Sequence, residues 1–276
     1  MLEALVAHRR IAFLASASGV LLLVALLERL RPRRPLAHPA PRRWASHLAL
    51  GALDLGLVAA LPLGSLAAAA WAARHDVGFL NALGLSGPAD VGATVVLLDF
   101  AHYALHRLDH AVPLLWRFHR VHHADLDLDW SSGLRQHPGS ALFTACARAA
   151  AVVALGASPL GVLIHALALG PIDRIAHGNV RVPPRLDAWL RLLFVTPDVH
   201  VVHHSARAEE TDSNFGSGLL VWDRLLGTYR AAPAGGVAGM TIGLERFREA
   251  RDLDLDRILG LPFRSDRAPA DAAAAA

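Results

Sequence analysis

Two long apolar segments near the start of the chain constrain the fold more than any other feature. Residues 11–27 (IAFLASASGVLLLVALL) carry no charge, and residues 48–73 form a second apolar run that Asp54 and Pro62 interrupt. A transmembrane helix needs about 20 apolar residues, so each run is long enough to cross a bilayer together with its flanks. We therefore predict an integral membrane protein.

The composition agrees with this prediction. Charged residues make up 18% of the chain and hydrophobic residues 54%, with a mean hydropathy of +0.36; a soluble domain carries about 25% charged residues. The net charge is only +3, and no basic face interleaved with aromatics is present, so nucleic-acid binding is not expected. The single cysteine excludes a disulfide framework, a cysteine-ligated zinc site and a protein-held iron–sulfur cluster.

Counting membrane crossings predicts which side the polar segments occupy. Residues 28–44 (ERLRPRRPLAHPAPRRW) hold six Arg and four Pro and are expected to form a non-helical basic loop, which the positive-inside rule places in the cytoplasm. Residues 74–90 are interpreted as a loop on the far side, and 91–105 as a returning span. The apolar stretch 141–170, with a Ser-Pro break at 158–159, fits a hairpin or two short tilted spans.

These segments define an all-α fold class, a multi-span membrane helical bundle with a cytosolic helical His-rich metal-binding cap. We expect N-terminal transmembrane helices and the basic loop in 1–90, a catalytic domain in 91–230 and a C-terminal tail in 231–276. The Lys-free, Ala- and Arg-rich composition favours a GC-rich bacterial genome and hence the inner membrane, with the histidines on its cytoplasmic side.

Histidine is the anomaly of this apolar chain, because nine of its 16 copies fall in three clusters between residues 102 and 204. The clusters are His102, His106 and His110; His119, His122 and His123; and His200, His203 and His204. The pattern HxxHH occurs twice, against about 0.05 copies expected by chance at this histidine content. On a helix, residues three and four apart share a face, so each motif aims three imidazoles into one volume. Two facing motifs with the HxxxH pair supply about eight nitrogens, more than the four ligands of a structural zinc.

The number of imidazoles indicates two metal ions. Imidazole suits zinc, copper, iron and nickel, and an all-nitrogen di-iron site is the first choice because zinc would leave most of the histidines unused. The residues alone leave a dinuclear copper or zinc site open. His165, in an apolar helix, is interpreted as a core histidine.

Six stretches of the chain resemble the fatty acid hydroxylase/sterol desaturase superfamily of membrane di-iron oxygenases. They are DFAHYALHRLDH (99–110), LWRFHRVHHAD (115–125), RQHP (135–138), HGN (177–179), TPDVHVVHHS (196–205) and NFGSGLLVWDRLLGTY (214–229). They match in order and spacing and are distributed over 99–229, roughly half of the chain. Outside them the chain is similar to the family only in its apolar spans.

The resemblance implies a set of metal ligands, carried over motif by motif. These are His106, His110, His119, His122, His123, His177, His200, His203 and His204. His102, His137 and Asp173 are possible further ligands or residues that orient the ligands, although His102 stands where an aromatic residue is commoner in the family. Asp99, Asn214 and Asp223 match polar family positions and are expected to orient the imidazoles, since metal-bound histidines usually donate their other N–H to an oxygen.

The resemblance also implies an activity. We expect an O₂-dependent di-iron oxidoreductase that hydroxylates or desaturates a C–H bond of a lipid, such as a sterol, a fatty acyl chain or an isoprenoid. The electrons must come from an external donor, because no dinucleotide fingerprint, cluster motif or haem domain is visible in the sequence. A ferredoxin or cytochrome with its reductase is the expected partner, and the basic loop with Arg117 and Arg120 is its hypothetical docking surface.

Two other classes of protein compete with this interpretation. A His-rich membrane metal transporter would need ligands along a path through the spans, whereas these histidines gather at helix ends. A zinc-dependent membrane hydrolase would need fewer ligands and a nearby general base.

Overall fold

The computed structural model describes residues 9–38, 40–61 and 64–265, and within these ranges the chain is helical with three isolated β-bridges and no strand. Fifteen α-helices follow in chain order: α1 Arg9–Leu30, α2 Ala40–Ala60, α3 Ser65–His75, α4 Phe79–Ala82, α5 Gly87–Ala111, α6 Pro113–His123, α7 Pro138–Leu155, α8 Pro159–Ala168, α9 Gly170–Ala176, α10 Pro184–Leu190, α11 Pro197–His203, α12 Ala208–Thr211, α13 Val221–Leu225, α14 Gly236–Gly239 and α15 Leu255–Gly260. Three 3₁₀ turns cover Ser132–Leu134, Ala250–Leu253 and Leu261–Phe263. The all-α prediction is confirmed. Pro62 and residues 266–276 of the expected tail lie outside the described residues.

Four apolar stretches are long enough to cross a membrane, namely Phe13–Leu30, Ala40–Ala82, Pro138–Leu155 and Pro159–Ala176. They bury few of their residues within the protein, and large apolar side chains such as Leu22, Leu26 and Leu55 point outward. Side chains of this kind are expected to face lipid tails. The chain is thus an integral membrane protein built as a helical bundle, as the sequence predicts.

The basic segment 28–44 is less irregular than its Pro and Arg content indicates. Helix α1 continues to Leu30 and α2 already begins at Ala40, with Pro41 in its first turn. A proline there costs no hydrogen bond, because the first N–H groups of a helix have no partner within it. The prediction of a non-helical loop across the whole of 28–44 is therefore wrong at both ends.

Helix α5 is one continuous helix of 25 residues. It is not among the four stretches that qualify as spans by hydropathy, so the crossing at 91–105 stays a prediction. The break at 158–159 is present: α7 ends at Gly156, which has the left-handed φ of 65°, and Ser158 caps α8 by accepting a hydrogen bond from the Gly161 N–H.

Packing of the long helices sets the position of the helices that carry histidine. Helix α5 packs against α8, and α3 against α7. Val112 is extended between α5 and α6, because the residue before a proline is disfavoured in the helical region. The chain turns there, and α6 packs against α5.

The segment after residue 240 packs onto the helices that precede it. Ile258 and Leu261 are fully buried in a core cluster with Leu50 of α2 and Val121 of α6. The Arg120 guanidinium donates to the backbone oxygen of Leu261. This segment therefore packs against α6, the helix that carries the second histidine cluster.

The contact between α4 and the end of α7 predicts a glycine requirement. Gly78 has a φ of 109°, and a Cβ there would overlap the backbone of Gly156 and lie 2.6 Å from the Val153 oxygen. We expect Gly78→Ala to lower the free energy of unfolding by about 3 kcal/mol or more, because overlap adds to the cost of a left-handed alanine. Thermal unfolding in detergent measures this loss.

Gly84→Ala is the matched control. Gly84 also has a positive φ, of 66°, but no atom lies within 4 Å of the position that an alanine methyl group would occupy. It should lose only the conformational cost of about 1 to 2 kcal/mol. Equal losses for the two variants would contradict the assigned contact.

Candidate metal centre

The nine histidines that the resemblance names as ligands form two neighbouring groups. The first group consists of His106, His110, His119, His123 and His203, and the second of His122, His177, His200 and His204. Within each group the ring nitrogens that could bind an ion lie within 4.8 Å of one another. Helices α5, α6 and α11 carry seven of these residues, while His177 and His204 follow the last residues of α9 and α11.

Each HxxHH motif supplies both groups. From the motif on α6, His119 and His123 join the first group and His122 the second; from the motif on α11, His203 joins the first group and His204 the second, with His200. Successive residues of a helix are separated by about 100°, so two adjacent histidines aim at different points. The sequence predicts that each motif directs its three imidazoles into one volume, whereas the structure divides them between two adjoining groups.

Imidazole nitrogens meet at short distances inside the first group. His106 Nε2 lies 3.1 Å from His119 Nε2 and 3.0 Å from His203 Nε2. His123 Nε2 lies 3.1 Å from the Nε2 atoms of both His110 and His119. In the second group, His177 Nε2 lies 3.0 Å from the Nε2 atoms of both His122 and His200.

Hydrogen bonds on the opposite side of the rings fix the tautomers. His106 Nδ1 lies 2.8 Å from the Phe215 carbonyl oxygen, and His203 Nδ1 lies 2.7 Å from the Ser213 carbonyl oxygen. A carbonyl oxygen only accepts, so each Nδ1 must carry the proton. In a neutral imidazole the other nitrogen is then an acceptor, and the two Nε2 lone pairs face each other.

Burial keeps these imidazoles neutral. Burial first, and then the neighbouring histidines, lower the pKa well below its ordinary value for six members of the groups, which are His119, His122, His123, His200, His203 and His204. Facing lone pairs at 3.0 Å repel in the absence of a proton, whereas a cation between them would turn repulsion into coordination. Among the residues that the structure describes, both ring nitrogens of His204 are buried without a hydrogen-bond partner, and ion binding would account for one of the two.

The spacing of the nitrogens tests which coordination the groups fit. Two nitrogens about 2.0–2.1 Å from one ion would be about 3.4 Å apart in a tetrahedral site. The shortest separations, of 3.0–3.1 Å, are a little below this value, while the other nitrogens of each group lie within 4.8 Å of one another. The residues therefore fit two metal ions, with five imidazoles for one and four for the other.

The loop 213–229 orients two of the imidazoles through its backbone. Asp223 accepts from the N–H groups of Phe215 and Gly216 at 2.8 Å and from the Thr228 hydroxyl. Asp99 accepts from the Trp222 indole at 2.8 Å. These bonds hold the loop whose carbonyl oxygens accept from His106 and His203.

Asn214 completes this loop. It has a φ of 52°, donates to the Val199 and Arg230 oxygens and accepts from the Arg230 N–H. The sequence predicts that Asp99, Asn214 and Asp223 orient the imidazoles. Their hydrogen bonds within the described chain go elsewhere, and each residue acts one step further away, by holding the loop. That step depends on tertiary contacts, which the matched motif does not encode.

The three possible extra ligands lie outside both groups. His137 caps α7: its Nδ1 accepts from the Gly139 N–H, and its Nε2 lies 3.2 Å from the Leu259 oxygen. Both of its nitrogens are thus engaged with the backbone. Asp173 contributes its backbone oxygen, which accepts from His177 Nδ1 at 2.7 Å. His102 lines a cavity beside the groups.

Two carboxylates that the sequence analysis did not single out lie near the groups. Asp212 lies 3.1 Å from His110 Nδ1 through its carboxylate oxygen, and Asp109 lies 3.9 Å from His119 Nδ1. Asp212 is 102 residues from its histidine along the chain, so no local spacing could have indicated the pair.

A buried ion network fixes the loop that follows the first HxxHH motif. The guanidinium of Arg43 on α2 donates to Asp125 at 2.8 and 3.0 Å and to Asp129 at 2.6 Å. All three side chains are at most 1% exposed. Burial alone would raise the pKa of Asp125, but the charge of Arg43 lowers it well below its usual range.

The contacts of these arginines contradict part of the hypothesis that the basic segment forms a docking surface for a redox partner. Arg43 is buried with Asp125, Arg33 pairs with Asp198, and Arg42 pairs with Asp254. Arg120 is also buried, at 1% exposure. Arg43 and Arg120 are buried, and Arg33 and Arg42 are already paired with carboxylates, so these four arginines are not a free cationic surface. Arg117 is exposed.

A cavity of about 600 Å³ adjoins both histidine groups. Helices of the candidate spans supply apolar walls, including Phe13 of α1, Val58 of α2 and Leu163 of α8. Five imidazoles line its other end, those of His106, His119, His122, His177 and His200. An apolar molecule in the cavity would contact the imidazole groups.

Comparison with known proteins identifies the class. Residues 91–228 match the family described as fatty acid hydroxylase, which is half of the chain, and the protein belongs to that family. The resemblance stated from the sequence is confirmed. No solved structure matches the chain.

Three relatives illustrate the range of the family. The chain is 37% identical over 142 residues to ornithine lipid hydroxylase OlsE of Rhizobium tropici, covering 50% of this chain and 41% of that protein. It is 29% identical over 161 residues to alkylglycerol monooxygenase of Homo sapiens, covering 54% of this chain and 33% of that protein. It is also 29% identical over 147 residues to fatty acid hydroxylase vlmA of Lecanicillium sp, covering 48% of this chain and 40% of that protein. The aligned region thus spans less than half of each relative.

Proposed function

We propose that this protein is an O₂-dependent di-iron oxidoreductase that oxidises a C–H bond of a membrane lipid. The observation that carries the proposal is the pair of facing lone pairs on His106 and His203, 3.0 Å apart with both Nδ1 protons directed to carbonyl oxygens. Such an arrangement is favourable only around a cation. Five imidazoles would hold one ion and four the other.

Iron is the metal that we propose for this set of donors. Both groups consist of imidazole alone, and together they offer nine nitrogens, more than one tetrahedral zinc would use. Two iron ions held there would supply the chemistry for reducing O₂ and removing hydrogen from an unactivated C–H bond. The residues around them hold the imidazole tautomers and keep the ligands neutral by burial.

The cavity would select and orient the substrate. Its lining is mostly apolar where helices of the candidate spans contribute, and imidazoles of both groups line it as well. An acyl or other hydrocarbon chain could enter from the bilayer and exclude water from the reacting carbon. The names of the relatives include an ornithine lipid, an alkylglycerol and a fatty acid, which supports a lipid substrate and favours hydroxylation over desaturation.

Contacts of the basic segment support a cytoplasmic position for the metal centre. Arg33 pairs with Asp198 at the start of α11, and Pro32 forms a β-bridge with Val180. If the basic segment and the histidine groups share one side, the positive-inside rule makes it the cytoplasmic side of a bacterial inner membrane. Reducing partners of the ferredoxin or cytochrome type would reach the site there, and Arg117 remains available for their docking.

Lipid analysis with reconstitution tests the proposal. A deletion strain should lose a hydroxylated or unsaturated lipid that the wild-type gene restores, and purified protein should contain about two iron ions per chain, as two ligand groups require. Turnover should need ferredoxin and its reductase in addition to NADPH. One zinc per chain with no change in lipids would refute the proposal and favour the hydrolase.

The transporter alternative has a separate readout. Seven of the nine histidines lie on α5, α6 and α11, none of which is among the four candidate spans. A ligand path through the bilayer is therefore not favoured. Metal uptake into proteoliposomes that depended on His203 would reverse this conclusion.

A further inference from the structure

Several polar or charged side chains line the cavity without belonging to either histidine group, and four of them are close enough to one another for their charges to interact. These four are His102 of α5, Arg148 of α7, His165 of α8 and Asp173 of α9. Polar residues within membrane spans are rare and usually functional. The proposed oxidation needs none of these four as a metal ligand, so their presence in an apolar cavity requires another explanation.

Of the four side chains, Arg148 is the most unusual in its position. It lies in the middle of α7, one of the candidate spans. Placing an arginine at the centre of a transmembrane helix costs about 2.5–3.5 kcal/mol on insertion scales. Yet within the described part of the chain its guanidinium makes no hydrogen bond and has no carboxylate oxygen within 4.0 Å, although Asp173 is close enough for their charges to interact.

A neighbouring histidine, His165, is similarly unsatisfied. His165 was interpreted from sequence as a core residue, but its Nε2 is buried without a hydrogen-bond partner among the described residues, and the nearest Asp99 oxygen is 4.0 Å away. His102 also lines the cavity. Asp173 keeps the summed charge of these side chains low, so the cavity is polar here without being strongly cationic.

This polar layer lies one helical turn from the histidine groups. His102 precedes His106 by four residues on α5, and Asp173 precedes His177 by four residues at the end of α9. Four residues of helix correspond to about 6 Å. On α7, Ser140 and Thr144 line the same cavity at intervals of four residues before Arg148, which makes one polar stripe toward the imidazoles.

We propose that Arg148 binds an anionic oxygen group, a carboxylate or a phosphate, of the lipid that occupies this cavity. A guanidinium offers five donors and no acceptor, and it matches the two oxygens of such a group in a planar, bidentate arrangement. This deepens the proposed function, on which it rests, by naming a class of substrate: a lipid whose acidic group enters the cavity with its hydrocarbon chain.

Matched amphiphiles test the proposal without requiring turnover. Palmitate, hexadecyl phosphate and hexadecanol share one chain length and differ in the head group. Their dissociation constants come from ligand-dependent shifts of the thermal unfolding midpoint of the purified full chain. The variants are Arg148→Gln, Arg148→Lys as a conservative rescue, and Arg74→Gln as a control at an exposed arginine on α3.

The wild type should bind one of the two anionic amphiphiles about 10- to 100-fold more tightly than hexadecanol, as expected for hydrogen bonds to a charged group. Arg148→Gln should abolish that preference, Arg148→Lys should retain part of it, and Arg74→Gln should leave it unchanged. A preference for palmitate assigns a carboxylate, and one for hexadecyl phosphate assigns a phosphate. Equal binding of charged and neutral amphiphiles by the wild type, or an unchanged preference in Arg148→Gln, would overturn the proposal.

Metal content, measured on the same samples, separates this proposal from the proposed function. Arg148→Gln should keep the wild-type iron content, because Arg148 is in neither histidine group. A chain that lacked iron and yet preferred the anionic amphiphiles through Arg148 would refute the oxidoreductase and leave the binding site standing.

Discussion

His203→Ala is expected to remove the metal ion of the first group and abolish lipid oxidation. His203 is the residue through which α11 reaches that group, with its Nε2 3.0 Å from His106 Nε2. Metal content should fall from about two ions per chain to one or fewer, and product should fall by more than about 100-fold, since even residues that only orient ligands contribute 10- to 100-fold. Elemental analysis of the purified protein and lipid profiling of the complemented strain measure both effects.

His137→Asn is the control for this experiment. His137 caps α7 and has both nitrogens engaged with the backbone, and asparagine is itself a good N-cap residue. This variant should keep both ions and most of the activity. His204→Ala should instead lose the ion of the second group. Two ions and normal product in His203→Ala would refute the assignment of that residue, while loss of both in His137→Asn would return it to the ligand set.

Arg43→Ala is expected to be the most destabilising change outside the histidine groups. It would leave Asp125 and Asp129 buried without their cation, and removing one partner of a buried ion pair costs about 3–5 kcal/mol. Because Asp125 follows the first HxxHH motif by two residues, metal content should fall as well. Thermal unfolding in detergent and iron analysis provide the two measurements.

The adjacent arginine supplies a matched control. Arg42 pairs with Asp254, but the two side chains are 44% and 37% exposed, and exposed pairs contribute about 0–1 kcal/mol. Arg42→Ala should therefore unfold near the wild-type temperature. Similar stability of the two variants would show that the Arg43 network contributes little, and a loss of electron transfer in Arg42→Ala alone would restore the docking role that the sequence indicated.

The candidate ligands could be found from sequence because metal chemistry repeats at helical spacing. Two HxxHH motifs and one HxxxH pair need only a helix to present their imidazoles on a common face. All eight of these histidines, together with His177, lie in the two groups. The assignment of iron to them is still a proposal, since the same nitrogens can bind other metals.

The residues that orient the ligands could not be found in this way. The acceptors for His106 and His203 are backbone oxygens, which every residue type offers equally. Asp212 meets His110 across 102 residues of chain. The basic segment shows that a charge pattern can also mislead. Its arginines indicate an exposed surface, whereas Arg43 is buried in an ion network.

The sequence by itself determined the membrane setting, the helical class and the histidines that could bind metal. Each of these depends on composition or on spacing within one helix, so neighbouring residues carry the information. Only the tertiary structure decided how nine imidazoles divide into groups of five and four, which arginines are buried, and that Arg148 faces the same cavity as the histidines. These outcomes depend on the relative position of helices far apart in the chain, which packing fixes and local pattern does not.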